Sequence, residues 1–348
     1  MGKTETMRLI WLPTGGHIGD AVMVTSLFAE ALERNSDLTI TYVVRRNAGL
    51  IAELTEAYPR IDVVAVPRSV IGAFKFVLPL LKERSIVVAP PAWDVHPLLI
   101  KLLALLFRVR GDTVVGFADG TSFQPWDIRV VYDKHTELYI DGLRAALRAV
   151  ALTVAESHAP PSLTLTTHVP ADFPYAGKPY VVVHAFPHMA KFKTIPLRRW
   201  KDLLAWLHET YPDYGLVITG AEVDRAEAEE LLAVTGDRGY LAIGKPLMEV
   251  AGLIEHARLY IGVDTGPTHI AGVLGAPSVV LAHLNEPTWL PTYNPNALLL
   301  SNRARCVCKV PEETCFVEEE GETYRRCVYY IPDTEIQGAI RLKLDDSA

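Results

Sequence analysis

The sequence lacks the features that mark several protein classes: a surplus of basic residues, a long apolar run and a low-complexity tract. Its 34 lysines and arginines are outnumbered by 41 aspartates and glutamates, which gives a net charge of −7. Because nucleic-acid binders present a basic field, we exclude nucleic acid as a partner. A chain of 348 residues is longer than a domain with a single hydrophobic core normally is, and its length therefore predicts two domains.

The apolar runs are too short for a secretory signal or a membrane span. The run nearest the N-terminus covers residues 9–13, whereas a signal needs roughly 7–15 apolar residues followed by a cleavage site. The longest run, Pro97 to Phe107, is 11 residues long and contains Lys101, whereas a span needs about 20 residues. We therefore expect a cytoplasmic protein, with contact to the membrane limited to its inner surface.

Short β-rich runs alternate with helical patterns along the chain, which is typical of parallel sheets covered by helices. Predicted strands include Leu38–Val44, Ile86–Ala89, Tyr180–His184 and Ser278–Leu281. Residues 157–178 are rich in Pro, Thr and Ala and mark a domain boundary between two doubly wound α/β halves. In such folds ligands bind outside the carboxyl ends of the strands.

The first candidate functional motif follows the first strand and reads Thr-Gly-Gly-His-Ile-Gly-Asp, ending at Asp20. Glycines let the backbone turn sharply and approach a ligand, and the following helix stabilises a carboxylate at its start. Asp20 is therefore either a candidate catalytic base or simply an N-cap. The glycine spacing differs from a dinucleotide-binding turn, but Arg45 and Arg46 after the second strand keep an NADP site as an alternative.

The second motif, Asp-Thr-Gly-Pro-Thr-His from Asp264 to His269, follows a buried strand and opens a helix. Pro267 suits the first helical turn, and we expect free amides from Thr265 to Thr268 to form a site for a diphosphate. His269 lies one turn into this helix and is expected to face the same ligand. The structural alternative is a turn-forming aspartate and a core histidine.

Taken in order, these motifs resemble those of glycosyltransferase family 9, the ADP-heptose–dependent heptosyltransferases of bacterial lipopolysaccharide synthesis. The resemblance covers nearly the whole chain, and the second motif is the more specific. It implies the α/β GT-B architecture, in which two Rossmann-like doubly wound domains face a central cleft. Residues 1–165 are expected to bind the acceptor and residues 166–332 the nucleotide sugar. A C-terminal helix over residues 333–348 is expected to cross back to the first domain.

The resemblance predicts two further landmarks. The family has a lysine before a Trp-Pro pair, and Lys193 takes this place here, with Ile195 instead of the tryptophan. Because of that departure, Lys191 remains an alternative. Glu222 closes a Thr-Gly-Ala-Glu turn like that of the family, which makes it the candidate for binding the nucleoside. Without the resemblance, Lys193 would be read as a solvated surface lysine and Glu222 as a carboxylate at the start of a helix.

The resemblance implies an inverting enzyme that moves a sugar, heptose in the family, from an ADP-sugar to a hydroxyl of a lipopolysaccharide-core-like glycan. Asp20 is expected to take the acceptor proton and Lys193 to neutralise the departing diphosphate, without a metal at the reacting centre. The expected donor-binding residues are Glu222, Asp264, Thr265, Gly266, Pro267, Thr268, His269 and Lys191. The expected acceptor-binding residues are Gly16, His17, Gly19, Arg45 and Arg46.

The four cysteines cluster in the tail, at Cys306, Cys308, Cys315 and Cys327. Reduced thiols are the norm in a chain without a secretory signal, so the cluster favours structural zinc or iron over disulfides. The spacing lacks paired C-x2-C units, and free structural thiols stay an alternative. Residues 316–326 are predicted to form a hairpin or loop. Similar tail cysteines occur in some family members, including those that heptosylate autotransporter proteins.

Three other functions stay open from the sequence alone. Transfer to a protein hydroxyl is the second enzymatic hypothesis, whereas arginines 45, 46, 108 and 110 gathered at the cleft would favour a phosphorylated glycolipid. A sugar-nucleotide-binding module without turnover is the non-enzymatic hypothesis, and the intact candidate base and lysine argue against it. An NADP oxidoreductase is the third.

Overall fold

A computed structural model describes residues 7–14, 16–67, 70–91, 97–118, 121–133, 136–187, 191–283, 289–302 and 315–345. The chain divides into two compact units, Met1–Thr166 and Thr167–Ala348, and each is built on a sheet of its own. The division falls inside the Pro- and Thr-rich segment at which the sequence predicts a boundary between domains.

The first unit is a parallel sheet with helices packed on it. Its strands are β1 (Met7–Thr14), β2 (Leu38–Val44), β3 (Ile61–Ala65), β4 (Ile86–Ala89), β5 (Thr113–Phe117) and β6 (Ile128–Val130). Its helices are α1 (Ile18–Arg34), α2 (Ala48–Leu54), α3 (Val70–Leu80), α4 (Pro97–Arg110) and α5 (Tyr139–Arg148). The strand order is β3-β2-β1-β4-β5-β6, all parallel, so the order reverses beside β1. Such a reversal places a ligand crevice at the carboxyl ends of β1 and β4.

A buried ion pair fixes α5 against α1. Arg144 of α5 is fully buried and donates from Nε to Glu30 Oε2 at 3.0 Å and from Nη2 to Glu30 Oε1. Its Nη1 donates to Asp141 Oδ1 at 2.9 Å. Burial alone lowers the pKa of Arg144, but the hydrogen bonds to Glu30 and Asp141 outweigh it and raise the pKa. Two carboxylates thus satisfy a guanidinium that would otherwise be costly to bury.

The second unit repeats the architecture. Its sheet strands are β7 (Tyr180–His184), β8 (Gly215–Gly220), β9 (Gly239–Ile243), β10 (Leu259–Val263), β11 (Ser278–Leu281) and β12 (Ala297–Leu300). Its helices are α6 (Leu197–Thr210), α7 (Arg225–Leu232), α8 (Leu247–Glu255), α9 (Gly266–Val273), α10 (Arg326–Tyr329) and α11 (Asp333–Asp345). The order β12-β11-β10-β7-β8-β9 is parallel throughout and reverses between β10 and β7.

An antiparallel hairpin follows the second sheet. It consists of β13 (Phe316–Glu319) and β14 (Glu322–Arg325), and the turn between them has positive φ at Glu320 and Gly321. Of the two predictions for residues 316–326, a hairpin or a loop, the structure shows the hairpin. We call β13 and β14 the tail hairpin.

The last helix, α11, packs within the second unit. Ile336, Ile340 and Leu344 are buried in the same apolar core as residues of β10 and β11. Arg199 of α6 holds the start of the helix by donating from Nε to Asp333 Oδ1 at 2.9 Å. The apolar face of the helix is thus used by the core of the second unit. The sequence-based expectation that the helix crosses back to the first domain stays a prediction.

Candidate active site

Basic side chains surround one carboxylate at the carboxyl ends of β10 and β11. Asp264 follows β10, and only 15% of its side chain is exposed. Nζ of Lys193 lies 2.8 Å from Asp264 Oδ2, and Nε2 of His283, which follows β11, lies 3.0 Å from the same oxygen. Nε2 of His269, on α9, lies 3.9 Å from Oδ1. We call these four residues the Asp264 cluster.

The surroundings keep Asp264 ionised. Burial raises the pKa of its carboxyl, but His269, His283 and the charge of Lys193 outweigh burial and hold the pKa well below its usual value. The Nδ1 atoms of both histidines are buried without a hydrogen-bond partner among the described residues. His283 Nε2 also makes no hydrogen bond among the described residues, although it lies 3.0 Å from Asp264 Oδ2. Buried polar atoms normally have partners, so these nitrogens indicate a site for a polar ligand.

Lys193 stands at the end of a short 3-10 turn, Lys191–Lys193, whose middle residue is Phe192. The Phe192 ring contacts the Phe316 ring of the tail hairpin at 5.9 Å between centroids. The guanidinium carbon of Arg325 lies 4.8 Å from the Phe192 centroid, a cation–π distance. The tail hairpin therefore supports the turn that carries Lys193. Lys193 is the lysine that contacts Asp264, and the side chain of Lys191 lies outside those described.

The start of α9 offers fewer free amides than the sequence predicts. The Thr268 amide donates to the Thr265 carbonyl at 3.1 Å, and Pro267 has no N–H. The Thr268 hydroxyl is buried and bonded to the Val263 carbonyl. The expectation of free amides through Thr268 is therefore wrong, because the first turn closes on itself. The amides of Thr265 and Gly266 are left as candidates for binding an anion.

Glu222 lies just beyond β8 and beside Gly244, which follows β9. Gly244 has a φ of +67°, and a Cβ there would come within 2.7 Å of Glu222 Oε2, so this close approach requires glycine. Arg225 donates to both oxygens of Glu222, at 2.5 and 2.8 Å, and these hydrogen bonds lower the pKa of the carboxyl. Glu222, the predicted nucleoside-binding residue, is thus exposed and forms an ion pair with Arg225 at the edge of the site.

Two histidines at strand ends were missed by sequence reasoning. His184 ends β7, and its Nδ1 lies 3.0 Å from Thr219 Oγ1. Burial lowers the pKa of His184 to about 4, so the ring is neutral at pH 7. His283 follows β11 and reaches Asp264, as described above. The position of each at the carboxyl end of a parallel strand was the signal available in the sequence.

In the first unit, Asp20 lies in the first turn of α1. The cap of this helix is His17, so Asp20 is the third helical residue rather than the N-cap. The helix dipole stabilises a carboxylate at this position. Asp20 is close enough to the buried Tyr139 of α5 to raise the pKa of that phenol further, beyond the larger effect of burial. The carboxylate is therefore held at the end of β1, where the sequence predicts it.

The turn that carries Asp20 is packed against the end of β2. Gly16 has a φ of +85°, and a Cβ there would lie 2.5 Å from the Arg46 carbonyl oxygen. Asn47 Nδ2 donates to the Gly16 carbonyl at 2.9 Å. Gly16 and Arg46, two of the predicted acceptor residues, are thus brought together at adjacent strand ends. Gly15 lies outside the described residues.

Two of the four tail cysteines belong to the described part of the chain. Cys315 and Cys327 are both buried, and Arg325 Nη1 donates to Cys315 Sγ at 3.7 Å. Cys306 and Cys308 lie outside the described residues. Among the residues that are described, no group of three or more His, Cys, Asp or Glu side chains is arranged to hold a metal ion.

Residues 101–319 match the family model for glycosyltransferase family 9 (heptosyltransferase). The structure is similar to E. coli ADP-heptose LPS heptosyltransferase II, with 17% identity, a TM-score of 0.70 and coverage of 98% of this chain and 100% of that chain. A family 9 glycosyltransferase from Veillonella parvula gives 17% identity, a TM-score of 0.72 and coverage of 99% of both chains. The E. coli iron-containing dodecameric heptosyltransferase TibC, solved with ADP-D-β-D-heptose, gives 15% identity, a TM-score of 0.58 and coverage of 100% of this chain and 81% of that chain. A search among functionally curated proteins finds no match. The likeness to these structures establishes the GT-B fold.

Proposed function

The chain belongs to glycosyltransferase family 9, and from this premise we propose that it transfers heptose from an ADP-sugar to a hydroxyl group of a lipopolysaccharide-core-like glycan. As a heptosyltransferase-type glycosyltransferase it is not an NADP oxidoreductase, the alternative kept open by Arg45 and Arg46. The observation that carries the proposal is the Asp264 cluster, in which a lysine and two histidines converge at the carboxyl ends of β10 and β11.

In the proposed donor site, the diphosphate binds the ammonium of Lys193 and the amides of Thr265 and Gly266. Asp264 accepts hydrogen bonds from hydroxyl groups of the transferred sugar, since an ionised carboxylate has only acceptor atoms. Glu222 binds the nucleoside at the far edge of the sheet. When the bond between the anomeric carbon and the diphosphate oxygen breaks, the electron pair leaves with the diphosphate. Lys193 stabilises the charge that develops there.

Asp20 is the proposed general base. The acceptor oxygen attacks the anomeric carbon from the side opposite the leaving diphosphate, which inverts the configuration. The proton of that hydroxyl passes to the carboxylate of Asp20, held ready by the first turn of α1. Arg46, packed against Gly16, contributes positive charge for a phosphorylated acceptor. Protein residues supply all the charge stabilisation in this scheme.

Thermal unfolding against a panel of nucleotides and sugar nucleotides tests the donor class. A ligand at about 100 times its dissociation constant stabilises the folded protein by about 2.7 kcal/mol. We expect a response to ADP and ADP-heptose that is larger than the response to UDP or GDP sugars. A selective response to UDP or GDP sugars would contradict the donor. Incubation with ADP-heptose and truncated lipopolysaccharide core, followed by mass spectrometry, then tests the acceptor.

We also propose that the four tail cysteines hold a structural iron or zinc ion. Burial of both described thiols and the confinement of all cysteines to residues 306–327 support this. Four thiolates suit either metal, and TibC is described as iron-containing. Metal analysis of the purified protein and of Cys327→Ser tests it: one equivalent of metal in the former and loss in the latter are expected. Four titratable thiols without metal would contradict it.

The tail cysteines also favour a second candidate acceptor, a protein hydroxyl, because they parallel the family members that modify autotransporter proteins. Presenting the enzyme and ADP-heptose with a serine-rich autotransporter fragment separates the two acceptors. A mass increase on the peptide, with none on the glycan, would replace the first candidate with the second.

A further inference from the structure

Helix α4 turns an apolar stripe toward solvent. Leu98, Leu102, Leu106 and Val109 follow one another at spacings of four, four and three residues, which places them on one helix face. They are 50, 48, 41 and 80% exposed. We call these four residues the α4 stripe. None of the helices in the described part of the chain combines the length and apolar character needed to cross a bilayer.

The opposite face of α4 packs in the hydrophobic core of the first unit. Ile100, Leu103, Ala104 and Phe107 are buried in the apolar cluster of the first unit. The stripe is therefore surplus to the packing of the sheet. Single exposed leucines are ordinary on protein surfaces, but four on one face form a contiguous apolar patch. Leu78 of α3, which shares this core cluster through Val77, adds another side chain that is 50% exposed.

Basic residues collect at the carboxyl end of the stripe. The Arg84 guanidinium lies directly over Gly111, the residue after α4, and Arg110 donates to the Leu81 carbonyl. Between Val70 and Arg110 the sequence has six basic residues and two acidic ones, although the whole chain has a net charge of −7. Asp112 and Asp127 pair with Arg110 and Arg108 and reduce this charge locally. The α4 region is thus both apolar and more basic than the rest of the chain.

We propose that the α4 stripe docks the first unit on the surface of an anionic membrane. Leucine and valine side chains enter the boundary between headgroups and acyl chains, while lysines and arginines beside them meet lipid phosphates. The long stems of Arg84 and Arg108 allow their charges to stay at headgroup level. This surface does not depend on which sugar is transferred, and it would hold the enzyme beside an acceptor carried by lipid.

Vesicle sedimentation tests the proposal. The full chain is mixed with vesicles of phosphatidylcholine alone or of phosphatidylcholine containing phosphatidylglycerol. We expect binding to the anionic vesicles, weakened by added salt because headgroup attraction is screened. The triple variant L102Q/L106Q/V109Q is expected to bind on the order of tenfold or more weakly, since it removes apolar area from the contact. Val223→Gln, at a residue 75% exposed in the second unit, is the matched control and should bind normally.

A stability control and three possible outcomes complete the test of membrane docking. Because the substituted residues are exposed, the triple variant should unfold at the same temperature as the parent chain, so weaker binding cannot come from misfolding. Failure of the parent chain to bind anionic vesicles, or equal binding by the triple variant, would overturn the proposal. A larger mass for the parent chain than for the triple variant in light scattering would also overturn it, because a second copy would then cover the stripe.

Discussion

Lys193 and Asp264 lie 71 positions apart in the sequence, yet Nζ of the lysine is 2.8 Å from Oδ2 of the aspartate. The contact joins the segment after β7 to the segment after β10, the two strands between which the order of the second sheet reverses. It therefore sits where a doubly wound sheet binds its ligand. The pair also gives the ammonium a defined position before any donor arrives.

Replacing Lys193 by methionine should lower turnover by about 10²-fold or more, because the leaving diphosphate loses its positive partner. Lys191→Met, two positions away in the same turn, is the matched variant. We expect it to retain most of its activity, since Lys193 is the residue on Asp264. Initial rates with ADP-heptose measure both. The opposite ranking of the two variants would assign the diphosphate to Lys191.

Asp20→Asn should reduce turnover by about 10²-fold or more while donor binding stays within a few-fold of the parent. The amide keeps the shape and hydrogen-bonding reach of the carboxylate but cannot take a proton. Turnover comes from single-point transfer assays and donor affinity from calorimetry. The control is Asp37→Asn, an exposed carboxylate in the turn before β2. Normal turnover in Asp20→Asn would remove this residue from the role of base.

His184 predicts a loss of stability in acid. Its folded-state pKa is about 4, below the ordinary value of about 6.5, so the unfolded chain binds the proton first as pH falls. Stability is therefore fully present above pH 6.5 and falls as pH drops toward 4. Between pH 7 and pH 5 this group should cost about 2 kcal/mol of the free energy of unfolding.

Urea denaturation at the two pH values measures this. In His184→Gln the free energy of unfolding should fall by about 2 kcal/mol less between pH 7 and pH 5 than in the parent. This difference does not depend on how stable the variant is at pH 7. His168→Gln, at a side chain 60% exposed, should leave the loss unchanged. An equal loss in the parent and in His184→Gln would show that other groups govern acid stability.

The buried pair of Arg144 and Glu30 predicts a pronounced asymmetry between single and double substitutions. Arg144→Met leaves the Glu30 carboxylate buried without its partner and should cost about 3–5 kcal/mol of stability. Adding Glu30→Leu removes the isolated charge and should recover most of the loss. Urea unfolding of the parent, both single variants and the double variant completes the cycle. A double variant that is as unstable as the sum of both singles would mean that the pair does not interact energetically.

The parallel strands were the most predictable part of the fold. Leu38–Val44 and Tyr180–His184 have the same bounds in the sequence-based prediction and in the structure, because strands buried on both faces are nearly continuous runs of β-branched and aromatic residues. Helix α3 was not predicted. It contains Gly72 and Pro79, residues that normally interrupt a helix, and only packing against the first sheet compensates for them.

The candidate site was predictable where it depends on strand ends and not where it depends on tertiary contacts. Asp264 and His269 could be placed from one motif because strand and helix are adjacent in the sequence. Two other contacts could not be placed from the motifs. The Thr268 amide bonds to the Thr265 carbonyl because of the geometry of the turn, and Glu222 pairs with Arg225 because of the conformations of their side chains. His283 needs a contact between the ends of two strands, β10 and β11, which no local pattern encodes.

The cation–π contacts of Arg325 with the rings of Phe192 and Phe316 have a consequence for protein engineering. Recombining segments among relatives at the end of the second sheet would separate Lys193, the proposed partner of the leaving diphosphate, from the Arg325 guanidinium that contacts its turn. Such a hybrid would fold, because both cores stay intact, and still transfer sugar poorly. Crossover points for chimeric enzymes therefore belong before Phe192, so that the turn and the tail come from the same parent.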